Sequence, residues 1–159
     1  MKFEIVKKLE TELEKLSREL LVDLPQELQK AAAYGDLSEN AEYDAAKQRK
    51  QFVESRIGQL QKRISEITSI NMNAIPKDRV GLGSRVLLSD LDSDSEIVYT
   101  FVFPEEVDPE KGKISLASPI GKSLVGKEEG DEATVITPKG RRNFEIVELK
   151  TYHDLSPKK

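Results

Sequence analysis

Leucines at positions 9, 13, 16 and 20 recur in alternating steps of four and three, with lysines and glutamates filling the spaces between them. Such a seam constrains a chain strongly, because it buries apolar surface only if a second helix lies against it. The same chain supplies that helix. Ala46, Lys50, Val53, Ile57, Leu60, Ile64 and Ile67 repeat the rhythm, broken only by the cation Lys50. Between the two stripes lies YGDLSENAEYDAAK, residues 34–47, with Gly35 marking a short break. A connection of a few residues leaves neighbouring helices antiparallel. Residues 1–74 therefore predict an antiparallel coiled-coil hairpin with an acidic tip at 35–43, each arm of roughly 30 residues extending about 45 Å. Pro25 either kinks the first arm or restarts it at a first helical position after Asp23 or Leu24.

The helical period ends near Pro76. Beyond it come short alternating runs, SRVLLS, EIVYTFVF, KISLA, EATVIT and NFEIVELKTY, separated by the turn-rich stretches SDLDSDS, PEEVDPEKG, GKEEGD and TPKGRR. The chain is thus expected to be α+β, with a small, mostly antiparallel β-sheet unit over 75–159. SPIGKSLVG is too polar and too rich in glycine for a strand and predicts a short helix or an ordered loop. LSPKK reads as a frayed tail.

Composition excludes several chemistries. With no cysteine, disulfides, thiol catalysis and thiolate metal sites are absent, and the single His153 cannot build a zinc site alone. A formal net charge of −4 argues against holding nucleic acid mainly by counterion release, so any such contact is local or assisted by a partner. No run has the length of a membrane span, and the N-terminus carries acids and heptads where a signal peptide has an unbroken apolar region, so a cytoplasmic protein is expected. Apparent motifs fail on inspection. IGKS at 120–123 lacks the first glycine of a phosphate loop, where Leu116 stands. In the calcium-like DLDSDS, Ser95 replaces the turn glycine and Phe101 the bidentate glutamate, leaving a solvated turn. His153 has no serine or carboxylate at a motif spacing and is expected at the surface or half-buried.

Asp36 and Glu39 admit two readings. An aspartate followed three residues later by a glutamate at a helix start is close to a capping box, in which Asp36 accepts from backbone amides and Glu39 reaches back. If Ser38 is the cap, Asp36 is released. Two carboxylates are also what Mg²⁺ shares with waters and substrate phosphates, the remaining ligands coming from elsewhere.

The tip sequence GDLSENAEYDAAK resembles that of the bacterial transcript cleavage factors of the GreA/GreB family. LDSDSEIVYTFV, SPIGKSLVGKEEGDEATVITPKG and FEIVELK are similar to later segments of the same family, in order along nearly the whole chain, with spacing closer to its GreA branch. The resemblance implies a coiled-coil finger joined to an FKBP-like domain. That domain would dock on RNA polymerase at its secondary channel, and the finger would reach the active centre. There the tip acids, Asp36 and Glu39, would promote cleavage of the extruded nascent RNA 3′ end with a Mg²⁺ shared with the polymerase. The factor would be a monomer that activates the polymerase's own hydrolysis and is not itself an enzyme. Ser118, Pro119 and Ile120 fall in the family's polymerase-docking segment. Family members often carry basic residues before GDL. Here only Lys30 stands there, and Lys47, Arg49 and Lys50 on the returning arm are the candidates to replace them as RNA contacts. Two other classes stay open: a channel-binding paralogue that inhibits polymerase, whose tip would depart from DLSEN, and an FKBP-type isomerase or chaperone with a coiled-coil handle. The β half has no tryptophan to floor a proline pocket, and fold likeness alone licenses no isomerase activity.

Overall fold

The computed structural model describes residues 3–35 and 40–156, which form two compact units dividing between Ile70 and Asn71. No helix among the described residues is long and apolar enough to cross a membrane.

In the first unit, α1 (Glu4–Arg18) runs into a π-helical turn (Glu19–Asp23) and then α2 (Leu24–Ala32), and these lie against the single long helix α3 (Ala41–Thr68). The buried residues of α3 are Ala46, Val53, Leu60 and Ile67, a strict heptad repeat. Lys50 is exposed, while Ile57 and Ile64 are half-buried. On the opposing arm Phe3, Ile5 and Val6 are buried at its start, and the buried residues that carry the repeat are Leu9, Leu16, Leu24 and Ala31, so one interval is eight residues instead of seven. The π turn absorbs the extra residue. The Leu24 amide donates to the Glu19 carbonyl, five residues back, a wider turn that takes in one more residue than an α turn. Pro25 follows at the first turn of α2. It has no N–H to give to residue 21, and its ring would crowd that carbonyl in an ordinary α-helix. The first arm therefore does not restart at Pro25; its backbone stays helical through Asp23 and Leu24 and widens for one turn.

Ion pairs fix the antiparallel register. Arg49 holds Glu19 through Nε and Nη2 at 2.6 and 2.9 Å, and Arg56 holds Glu12 through the same atoms at 2.8 and 3.0 Å. One heptad forward on α3 answers one heptad backward on the first arm. These bidentate bonds hold both glutamates below the usual carboxylate range.

The second unit is a five-stranded sheet in the order β3-β2-β1-β5-β4, formed by β1 (Arg85–Asp90), β2 (Glu96–Phe101), β3 (Lys113–Ile114), β4 (Glu132–Thr137) and β5 (Gly140–Lys150). Pairing is antiparallel except between β2 and β3, which run parallel over two residues. The sheet is mostly antiparallel, as expected, with parallel pairing confined to this edge. The segment 102–112, with 3₁₀ turns at Pro104–Glu106 and Pro109–Lys111, is long enough to bring the chain back in the same direction, which a tight hairpin cannot do. Val86, Leu88, Phe101, Phe144 and Ile146 form the core together with Leu124 of α4 (Pro119–Leu124), so SPIGKSLVG is a helix.

Asp90 is more than part of a solvated turn. It is 2% exposed, accepts from the Asp92 amide through Oδ1, and pairs through Oδ2 with Arg142, whose guanidinium also lies over the Phe144 ring. The Arg142 bond, aided by the Asp92 amide, holds its carboxyl below the usual range. His153, in the short helix α5 (Tyr152–Leu155), is half-buried with Nε2 2.8 Å from the Ile75 carbonyl.

Candidate functional site

The acidic tip connects the end of α2 to the start of α3. The last α2 turn closes with bonds from the Ala33, Tyr34 and Gly35 amides to the Gln29, Ala31 and Ala32 carbonyls. Gly35 then takes φ 105°, open to glycine and strained for other residues. Asp36 and Glu39 lie outside the described residues. The helix they precede begins at Ala41, and its cap is Asn40, whose Oδ1 accepts from the Tyr43 amide at 3.0 Å. The capping post weighed for Asp36 or Ser38 is thus filled by Asn40. Glu42 and Asp44 in the first turn suit the positive end of the helix.

Asn40 has a second bond. Its Nδ2 donates to the Ala31 carbonyl of α2 at 2.6 Å. One planar amide thereby satisfies a free amide at the start of one helix and a carbonyl in the last turn of the other. This role escaped the sequence reading. The signal for the cap was present, since asparagine is among the strongest N-cap residues, whereas the bond to Ala31 spans nine positions and follows only from the hairpin.

The basic candidates sit in different circumstances. Lys30 is exposed in the last turn of α2. Lys47 lies 5.5 Å from the centre of the Tyr43 ring, and Lys50 is 4.0 Å from Glu54. Arg49 is committed to Glu19 and also lies over the Phe52 ring at 5.2 Å. Its bidentate face is already used within the hairpin, so Lys30, Lys47 and Lys50 keep more freedom to meet a phosphate.

The Ser118 segment is built on close backbone approach. Ser118 caps α4: its Oγ accepts from the Gly121 amide at 3.1 Å and donates to the Ser115 carbonyl at 2.6 Å. Pro119, at the first turn, is exposed. Ile120 is half-buried against the core cluster. Of the three docking candidates, Pro119 is the most open to a partner, Ser118 shapes the turn, and Ile120 anchors it. Gly121 is buried, and a Cβ there would lie 2.5 Å from the Ser115 oxygen and 2.6 Å from that of Leu116. Only glycine admits this approach. The apparent phosphate-loop sequence around it is a six-residue helix capped by its own serine.

Among the described residues, no three or more histidines, aspartates or glutamates come together to hold a metal ion.

Two family models match in turn. One, described as transcription elongation factor, N-terminal, covers residues 3–68, and the other, transcription elongation factor, GreA/GreB, C-term, covers 75–151. A protein named transcription elongation factor GreA from Clostridium botulinum is 43% identical over 94% of this chain and 94% of its own. One of the same name from Desulfotalea psychrophila is 44% identical over 91% and 90%. A solved structure, GreA factor homolog 1 (Gfh1) of Thermus thermophilus, is 32% identical over 91% of this chain and 93% of its own, with a TM-score of 0.41.

Proposed function

This chain belongs to the GreA/GreB family of transcription elongation factors, and from that premise we propose that it rescues backtracked RNA polymerase by stimulating cleavage of the nascent RNA 3′ end. The observation that carries the reading is the match of both units, in order, together with an intact GDLSEN segment at the turn of a two-helix rod. In this reading the C-terminal unit docks at the mouth of the secondary channel with Ser118, Pro119 and Ile120 at the contact. The hairpin enters the channel, and the protein acts as a monomer in the cytoplasm.

The chemistry of the tip suits a donated half-site. Mg²⁺ bound between carboxylates and phosphate activates water and stabilises the leaving oxygen. Asp36 and Glu39 supply two carboxylates, too few to hold such an ion alone, so the polymerase's own acids and RNA phosphate complete the set. The chain contributes position: a rod that carries two acids into a site which already holds the substrate. It follows that the isolated protein is not a nuclease.

The test is to add the purified protein to a stalled, backtracked elongation complex with Mg²⁺ and follow the RNA. Shortened transcripts that resume elongation support the proposal. Polymerase inhibition without cleavage would place the chain with the inhibitory paralogues. RNA hydrolysis by the protein alone would remove the half-site reading.

A further inference from the structure

The geometry of Asn40 points to a positioning role in the cleavage site, and we infer that this one side chain sets the separation of the end of α2 and the start of α3, the helices between which Asp36 and Glu39 fall in the sequence. The inference rests on the cleavage reading above. Its physical basis lies in the described residues on either side of the tip.

The two helix ends could be held at this point in few ways. Among the described residues the nearest ion pair tying the arms is Arg49 to Glu19, well down the rod from the tip. The buried residue nearest the tip is Ala31 on the first arm and Ala46 on α3, and such small side chains offer little apolar surface to fix a distance. The direct polar tie at this level is Asn40 Nδ2 to the Ala31 carbonyl, at 2.6 Å, while Oδ1 of the same amide accepts from the Tyr43 amide at 3.0 Å. The donor and the acceptor are fixed in one plane by the amide group. Only one orientation of that group satisfies both partners, so the α2 end and the α3 start are held in one relative placement.

The choice of residue follows from this. Serine, threonine and aspartate cap helices about as well as asparagine. Aspartate has no donor to offer the Ala31 carbonyl, and serine is too short to span both partners. A helix that needed only a cap would be served by any of the four, whereas a cap that also reaches the other arm requires the amide. A shared metal site tolerates little error, since displacement of a catalytic group by an ångström costs rates on the order of 100-fold.

Two variants separate the functions of the side chain. Asn40→Ser and Asn40→Asp keep the cap and lose the cross-arm bond. The chain has no cysteine, so cysteines introduced at the exposed positions Ala33 and Glu42 can carry a pair of spin labels across the stem without competing sites. Each variant is expected to broaden the label-to-label distance distribution. In unlabelled protein, each is expected to lower the maximal cleavage rate in a backtracked complex at least about tenfold, leaving the half-saturating concentration unchanged, because docking resides in the other unit. Wild-type cleavage by both variants would overturn the inference, as would loss of cleavage with an unaltered distance distribution. If the unsubstituted protein fails to stimulate cleavage, the functional reading falls instead, and the distance measurement still decides whether Asn40 sets the stem.

Discussion

Gly121→Ala sets two opposed effects against each other. Alanine is the better helix former by about 1 kcal/mol, and Gly121 lies inside α4 with no positive φ to forbid a side chain. Propensity alone therefore forecasts a stabilised protein. The added Cβ, however, would sit 2.5, 2.6 and 2.7 Å from the Ser115 oxygen, the Leu116 oxygen and the Leu116 carbonyl carbon. Ordinary contact begins near 3.4 Å, so backbone must retreat by about 0.9 Å at the tightest point, and no flexible side chain can absorb the movement. Overpacking of this kind costs about 1–3 kcal/mol, and three backbone contacts argue for the upper half. The net loss is about 1–2 kcal/mol after the propensity gain, or at least about 4 °C in the melting temperature of a unit this size. The same retreat breaks the bond from the Gly121 amide to Ser118 Oγ and moves Pro119. Calorimetry of the intact protein and competition with unsubstituted protein for RNA polymerase would measure the two consequences together. A variant that melts higher than the parent would refute the steric reasoning. One that melts lower but competes equally well would remove the Ser118 segment from the docking surface.

Asp36→Asn is expected to leave unfolding free energy within a few tenths of a kcal/mol, since Asn40 already caps α3, while abolishing most RNA cleavage; full cleavage by the folded variant would reject the metal role. Glu39→Gln should raise the Mg²⁺ concentration needed for cleavage without changing polymerase affinity, and an unshifted Mg²⁺ titration would count against a shared site. Asp90 makes the acid response of the second unit specific. Its folded pKa is depressed by Arg142 and the Asp92 amide, so its contribution is complete above the ordinary carboxylate pKa of about 4 and is lost as pH falls through the lower folded value. The stability gap between the parent and Asp90→Asn should therefore be widest near neutrality and close below about pH 4; a gap independent of pH would contradict the pairing.

The elements legible in the sequence were those decided locally or by a long repeat. The stripes of α1 and α3 announce themselves through many residues, and the alternating runs that became β1, β2, β4 and β5 carry their own turn signals. What escaped depended on distant partners. The two-residue strand β3 is defined by β2 alone, so a five-residue run gave no hint that only Lys113 and Ile114 would pair, or in which direction. Pro25 is compatible with a kink, a restart or a π turn, and the choice was made by α3, whose strict heptads require the opposing arm to absorb one residue. At the tip, the spacing of Asp36 and Glu39 drew attention to a capping box and away from Asn40, a strong cap residue in its own right, whose bond across to Ala31 exists only once the hairpin has formed.

The π turn also decides what governs the reach of the finger. Between buried residues that face each other in the register set by Arg49–Glu19 and Arg56–Glu12, the first arm spends 15 residues, from Leu9 to Leu24, where α3 spends 14, from Ala46 to Leu60. The surplus residue enlarges one turn and adds no length. Reach is therefore metered by α3 alone, whose 28 residues measure about 42 Å. Insertions and deletions in the two arms are consequently unequal. One residue gained or lost near Glu19–Asp23 can be taken up by interconverting α and π turns. One residue gained in α3 would swing everything beyond it by about 100° and carry the tip out of phase with the arm it must meet.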